Sequence, residues 1–316
     1  MSQSLIALIH NASPGEIHML APPSSLGVAS RMPGVDRCIE LPFGHGELQL
    51  GRRRRFAKNL ETYDQAIVLP NSLKSALVPF WAGIKKRTGW QGEARYLLLN
   101  DRRKLDKERY PLMVERFVAL GLTPNESLPQ SLVPQLTADH ENIERLVEKF
   151  SLTSSAVILC PGAEFGPAKQ WPATQYAHVA DHYISKGREV WILGSPKDKG
   201  VAHEILQLSA GGIRDLTGAT NLVDAIDLLS LAELVVCNDS GLMHVACALN
   251  RKVVAVFGST SPNFTPPLNA ESRVVQRQLP CSPCFQRECP LGHLDCLRGL
   301  PPVEVINAAT DLGVCS

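Results

Sequence analysis

Along the chain, short apolar runs alternate with stretches in which apolar residues recur every three or four positions. The first pattern is that of buried strands and the second that of amphipathic helices. In the first half this spacing predicts strands over 17–21, 39–41, 66–69 and 87–90, and helices over 56–63, 72–81 and 111–120. A polar, proline-containing stretch over 123–135 reads as a linker. The second half is more regular. It predicts strands over 156–160, 189–194, 213–216, 234–237 and, last, 253–257. Helices over 171–186, 201–209, 222–231 and 242–249 fall between them. Such alternation builds βαβ units and parallel sheets. The strands of this half run into Gly, Ser or Asp at their carboxyl ends, the edge at which open α/β sheets bind ligands. The expected fold class is α/β, with two Rossmann-like domains, 1–150 and 151–316, facing each other across a cleft. A doubly wound domain normally opens on a strand, yet Met1-Ser2-Gln3-Ser4-Leu5 reads as a helix already under way. A first strand and its turn are therefore expected to be missing from the chain as written.

Composition narrows the class. At 44% hydrophobic and 20% charged residues, the chain is neither disordered nor collagenous nor a coiled coil. Its 316 residues suffice for about two ordinary cores. No apolar run approaches the roughly 18 residues needed to cross a bilayer, and the apolar stretch 4–9 is too short for a signal peptide. The nine cysteines are odd in number and include isolated ones such as Cys38, Cys160 and Cys237. That usage points to a reducing, cytosolic compartment. The net charge of +1 divides unevenly. Residues 1–150 hold 20 Lys+Arg against 16 Asp+Glu (+4), and the rest 12 against 15 (−3). Neither half has the basicity of a nucleic-acid binder, so no nucleic-acid partner is expected.

Three segments carry candidate chemistry. In Asn238-Asp239-Ser240-Gly241-Leu242-Met243-His244 a strand gives way to a helix, whose free N–H groups and dipole suit a phosphate. Gly241 permits close backbone approach, and Ser240 can donate its hydroxyl. Asp239 could equally be an N-cap, and His244 a core histidine. The loop from Pro161 to Pro172, with Gly162, Ala163 and Lys169, places a cation just ahead of a Trp-Pro helix start. A lysine there opposes the helix dipole, which favours a bound diphosphate over a merely exposed side chain. In Gly194-Ser195-Pro196-Lys197-Asp198, the carboxylate can accept from ribose hydroxyls or cap a helix.

Taken together these segments resemble glycosyltransferase family 9, the ADP-heptose:lipopolysaccharide heptosyltransferases. Ser30-Arg31-Met32-Pro33, Gly44-His45-Gly46, the segment from Leu69 to Ala76, Arg87-Thr88-Gly89-Trp90 and Phe264-Thr265-Pro266-Pro267 extend the likeness over essentially the whole chain. The resemblance implies a GT-B fold with an N-terminal acceptor domain and a C-terminal ADP-heptose domain. It implies inverting transfer of L-glycero-D-manno-heptose from ADP-heptose to the first heptose of the lipopolysaccharide inner core. Lys169 would face the diphosphate and Asp198 the ribose, while Asp239, Ser240, Gly241, Leu242 and His244 would line the phosphate and sugar pocket. No metal is required by that arrangement. Members usually begin with a strand and a Gly-rich turn bearing the aspartate expected as general base. No acid precedes Glu16 here, so the chain as written is expected to lack that base. The alternatives are a remnant that binds ADP-sugar without turnover, or another nucleotide-sugar enzyme on the same fold.

Two further clusters fit less tightly. The basic run Arg52, Arg53, Arg54, Arg55 and Lys58, with Lys74, is either a solvated helix start or a contact for the carboxylates and phosphates of a heptosyl-Kdo2-lipid A acceptor. An anionic inner-membrane surface is a third reading of the same charges. Lys85, Lys86, Arg87 and Arg95 would add to that field. The resemblance implies a peripheral enzyme at the cytoplasmic face of the inner membrane. Cys281, Cys284, Cys289 and Cys296 fall within sixteen residues, ahead of a C-terminal helix. They could hold a structural zinc, stay free, or pair as disulfides.

Overall fold

A computed structural model describes residues 1–12, 15–44 and 46–314. His45 of the Gly44-His45-Gly46 motif and Cys315 lie outside the described residues. The chain divides into two compact units, Met1–Ser30 with Gly34–Leu132, and Arg31–Pro33 with Val133–Ser316.

The first unit runs α1 (Ser2–Ala12), β1 (His18–Ala21), α2 (Pro23–Ala29), β2 (Arg37–Glu40), α3 (Leu50–Lys58), β3 (Gln65–Val68), α4 (Leu73–Trp81), β4 (Lys86–Trp90), β5 (Asp101–Arg103) and α5 (Met113–Val118). Its strands form two separate sheets, a parallel β1-β2 pair and a parallel β3-β4-β5 sheet. α2 and β5 are short, and their sequences carry no clear period, so they escaped the pattern. α3 begins at Leu50 rather than at 56 and holds the whole arginine run. Arginine is a good helix former, and polar residues give no apolar stripe from which to read it.

The second unit runs α6 (His140–Phe150), β6 (Ala156–Cys160), α7 (Ala173–Ser185), β7 (Val190–Ile192), α8 (Lys199–Leu208), β8 (Ile213–Asp215), α9 (Leu222–Leu229), β9 (Ala232–Asn238), α10 (Gly241–Ala248), β10 (Val253–Phe257), β11 (Ser272–Gln276), α11 (Asp295–Arg298) and α12 (Pro302–Thr310). Six strands make one parallel sheet in the order β11-β10-β9-β6-β7-β8. β6, β7 and β10 are buried along their whole length, as strands covered on both faces are. The strand over 253–257 is not the last, because β11 follows it at the sheet edge. Only Val275 of β11 is fully buried, so that strand leaves a weak apolar signal.

The units divide at 132/133 rather than at 150, and α6 shows why. Asp139 caps α6 by accepting from the N–H groups of Glu141 and Asn142. Its own N–H donates to Asp227 Oδ1 at 2.9 Å. Asn142 Nδ2 donates to Asp227 Oδ2 at 2.7 Å and to Asp224 Oδ1 at 3.1 Å. Arg31 closes the cluster on the fully buried Asp227 at 2.6 Å. These partners lie on α9, so α6 belongs to the second unit.

Candidate functional site

From β6 the chain moves to β7 and β8 on one side, then returns to β9 on the other side of β6. The carboxyl ends of β6 and β9 thus flank a topological switch point, where open α/β sheets bind ligands. β6 delivers the loop from Pro161 to Lys169, and β9 delivers Asp239 and Ser240 to the start of α10.

Asn238, fully buried at the end of β9, ties the two loops together. Its Oδ1 accepts from the Trp171 N–H at 3.1 Å and from the Tyr176 hydroxyl at 3.0 Å. Its Nδ2 donates to the carbonyls of Pro161 at 2.8 Å and Gly162 at 3.3 Å. Burial pushes the Tyr176 phenol well above its ordinary range, so it stays a donor. With its amide committed on both sides, Asn238 is a positioning residue.

Lys169 is not an exposed lysine. Its side chain is 15% exposed, and its Nζ lies 2.6 Å from Asp239 Oδ2, itself 6% exposed. The Thr260 hydroxyl donates to the same oxygen at 2.6 Å. The Phe165 ring lies below the ammonium with its centroid at 5.0 Å. Asp239 therefore fixes the lysine rather than capping α10 with its side chain; no side-chain cap bond is made there. Thr260 was not among the residues read from sequence. The available signal was Gly258-Ser259-Thr260 following β10, the strand beside β9. Register decides that this turn meets Asp239.

His244 sits one turn into α10 with its Nδ1 buried and without a hydrogen-bond partner among the described residues. Burial is the largest cause pushing its pKa down to about 4. At neutral pH the ring is therefore uncharged. Ser240 and Leu242 are half-buried at the same helix start, as is Ala163 in the β6 loop.

The two glycines do different jobs. A Cβ on Gly162 would stand 2.8 Å from the Asp198 carboxylate, so Gly162 makes room for Asp198. Asp198 Oδ2 accepts both the N–H and the hydroxyl of Ser195, each at 2.8 Å. The cap reading of Asp198 is thus realised, at the end of a strand adjacent to β6. A Cβ on Gly241 would meet nothing within 4 Å and would occupy the space in front of the helix start. Gly241→Ala should leave the thermal midpoint within about 2 °C of the parent, because a surface change without a clash shifts stability little, yet weaken ADP binding about 10-fold. Calorimetric titration of both proteins with ADP checks this, and equal affinities would contradict it.

A family model for glycosyltransferase family 9 (heptosyltransferase) matches residues 53–295. The chain belongs to glycosyltransferase family 9. It is 47% identical over 291 residues to lipopolysaccharide heptosyltransferase 2 of Escherichia coli K12, covering 87% of this chain and 84% of that protein. It is 44% identical over 293 residues to lipooligosaccharide heptosyltransferase 2 of Haemophilus influenzae, with 87% and 84% covered. Among solved structures, the E. coli ADP-heptose lipopolysaccharide heptosyltransferase II superposes with a TM-score of 0.87 at 41% identity, covering 98% of this chain and 93% of that one. The fold is accordingly the GT-B class of family 9.

The basic run of this family 9 chain splits on inspection. Arg52, Arg54, Arg55 and Lys58 are exposed on α3, and Lys74 is half-buried on α4. Arg53 is only 3% exposed. Its Nε donates to the Leu48 carbonyl at 2.7 Å and its Nη2 to the Glu47 carbonyl at 2.9 Å, while its guanidinium lies 4.3 Å from the Phe43 ring centroid. Arg53 is therefore bound within its own unit, not offered to an acceptor. Arg95 is likewise 1% exposed, bound to the carbonyls of Pro70 and Trp90. A four-residue period explains the first case: only one arginine in the run faces inward on a helix.

Cys281, Cys284, Cys289 and Cys296 line one small cavity of about 20 Å³ with Ala168 and Ser259. All four are free cysteines. Among the described residues no group of three or more His, Cys, Asp or Glu side chains is placed to hold a metal ion. The segment also braces the site loops. The Ala168 N–H donates to the Arg287 carbonyl at 3.0 Å, the Phe285 N–H to the Ser259 carbonyl at 2.7 Å, and the Ser282 hydroxyl to the Gly258 carbonyl at 2.6 Å.

Proposed function

We propose that the chain moves L-glycero-D-manno-heptose from ADP-heptose to the first heptose of the lipopolysaccharide inner core, with inversion at the anomeric carbon. The observation that carries this reading is the Lys169–Asp239–Thr260 cluster at the head of α10, placed at the switch point of a sheet whose family is heptosyltransferase. As the acceptor hydroxyl attacks, the bond from the anomeric carbon to the diphosphate oxygen breaks and charge builds on ADP. The Lys169 ammonium and the free N–H groups at Gly241 and Leu242 meet that charge. Asp239 takes two donors of the ammonium, at its carboxylate and more weakly at its main-chain carbonyl at 3.4 Å, and leaves the third for the diphosphate. Asp198 stands beside the loop at the neighbouring strand, where ribose hydroxyls would reach it. The hydroxyl proton must pass to a general base, and none of the residues assigned here takes that role. The first unit takes the acceptor and the second the donor.

On the acceptor side, the reading uses Arg52, Arg54, Arg55 and Lys58 for the carboxylates and phosphates of heptosyl-Kdo2-lipid A. That acceptor is an amphiphile, so the enzyme works at the cytoplasmic face of the inner membrane, as a peripheral protein on an anionic surface. No helix among the described residues is long and apolar enough to cross a membrane. Arg52→Gln/Arg54→Gln/Arg55→Gln should raise the acceptor KM several-fold and flatten its salt dependence. Arg53→Gln should instead cost about 2 kcal/mol of stability, since it orphans buried carbonyls. A chemical denaturation series beside steady-state kinetics separates the two, and a salt response lost only in the Arg53 variant would reverse the assignment.

The direct test is transfer from ADP-heptose to Kdo2-lipid A bearing one heptose, with ADP binding followed in parallel. Turnover supports the proposal. ADP binding without turnover would identify a donor-binding remnant and sink it.

A further inference from the structure

The turn between β4 and β5 is held from both sides and offers its tip to solvent. On one flank Arg95 is 1% exposed, and on the other Leu99 is 2% exposed, packed with Val68 and Ala76. The N–H groups of Leu98 and Leu99 both donate to the Arg95 carbonyl, at 3.1 and 3.2 Å. Between these anchors Tyr96 is 57% exposed and Leu97 86% exposed. Leu97 is thus pushed outward on a braced turn.

The tip does not stand alone. Arg102 lies 4.7 Å from the Tyr96 ring centroid and donates to the Tyr96 carbonyl at 3.2 Å. Arg87 Nε donates to the Leu98 carbonyl at 2.7 Å, and the same guanidinium lies 5.5 Å from the ring centroid of Phe80, which is 40% exposed at the end of α4. Asn100 Nδ2 donates to the Lys85 carbonyl at 2.6 Å, tying the chain at the exposed Lys85 to the end of the turn. The nearby acid Asp101 is occupied: it accepts from Arg103 at 3.0 Å and from Thr88 at 2.9 Å, and these partners hold its carboxyl below the usual range.

Phe80, Tyr96 and Leu97 thus stand exposed beside the cations Arg87 and Arg102, with the exposed Lys85 just ahead of β4. Long cationic side chains beside aromatic and aliphatic tips are suited to an interface where one layer is apolar and the next is anionic. We infer that this surface docks the first unit on an anionic phospholipid bilayer, with Tyr96 and Leu97 entering the headgroup region. The inference rests on the proposed reading that the acceptor is membrane-embedded, and it names the residues that make the contact.

Vesicle flotation tests it. The full chain should float with vesicles of phosphatidylglycerol and phosphatidylethanolamine, and not with vesicles of phosphatidylcholine alone. Tyr96→Ser/Leu97→Ser should keep the parental thermal midpoint, as both side chains stand in solvent, and lose about 10-fold in vesicle partition. Lys85→Gln/Arg102→Gln should lose a comparable factor on the anionic vesicles. The acceptor KM of the Tyr96/Leu97 variant should rise for vesicle-embedded acceptor and stay unchanged for its deacylated, water-soluble form. Flotation of that variant equal to the parent, or a parent that does not float, would overturn the inference. So would undiminished flotation combined with loss of a co-purifying protein, which would give the surface to a protein partner. Failure of the parent to transfer heptose to either acceptor would sink the functional reading while leaving the flotation result to stand by itself.

Discussion

Lys169→Met should lower kcat for heptose transfer by roughly 10²–10³-fold, the range found when a preorganised charge partner of a transition state is removed. The loss should fall on kcat more than on the KM for ADP-heptose, because charge on the diphosphate grows as the glycosidic bond breaks. A structural artefact must be separated from this effect. Deleting the ammonium strands Asp239, only 6% exposed at its side chain, and an unpaired buried carboxylate destabilises a fold. Lys169→Met/Asp239→Asn removes both charges. Its thermal midpoint should return toward the parent while kcat stays low. Recovery of kcat in the double variant would mean that the lysine serves stability alone. Thr260→Val should cost less, about 10-fold, since the ion pair persists without that hydroxyl.

The second large effect belongs to a residue that touches no substrate in this account. Asn238→Ala should destabilise the second unit by roughly 3–4 kcal/mol, because the Trp171 N–H, the Tyr176 hydroxyl and the Pro161 carbonyl all lose a buried partner. The same variant should bind ADP more weakly, since the β6 loop and the head of α10 lose their tie. Asn238→Asp separates shape from polarity. It keeps the acceptor toward Trp171 and Tyr176 but sets a carboxylate oxygen against the Pro161 carbonyl, and should be no more stable than the alanine variant. Urea denaturation of the three proteins measures this. An unchanged midpoint for Asn238→Ala would show that the two loops hold their positions independently.

Much of the second unit was legible because β6, β7 and β10 are short and wholly apolar. Runs such as those of β6 and β10 can satisfy only a sheet buried on both faces. The glycine-containing loops and Lys169 were legible as candidates for a related reason: a lysine at a helix start is locally unfavourable. The first unit was harder. α3 is an arginine-rich helix with no apolar stripe, and β5 has three polar residues in a row, so neither has a period to read. α6 lay hidden behind a proline-containing stretch. The stretch 123–135 was legible as a linker, while the helix after it takes its place through Asn142, Asp224 and Asp227, which are about 80 residues apart along the chain.

By itself the sequence determined the class of fold, the family, and the chemical kinds gathered at the candidate site, because strand length, turn chemistry and local motif are properties of neighbouring residues. Only the tertiary structure decided which members of each motif face the site. Strand order brings β9 beside β6 and β10 beside β9, so Asp239 meets Lys169 and Thr260, residues that nothing local connects. Helix phase turns Arg53 inward and leaves Arg52, Arg54 and Arg55 outside. Packing gives Gly162 to Asp198 and leaves open space before Gly241. Each of these outcomes depends on contacts between residues distant along the chain, and a one-dimensional pattern carries no term for them.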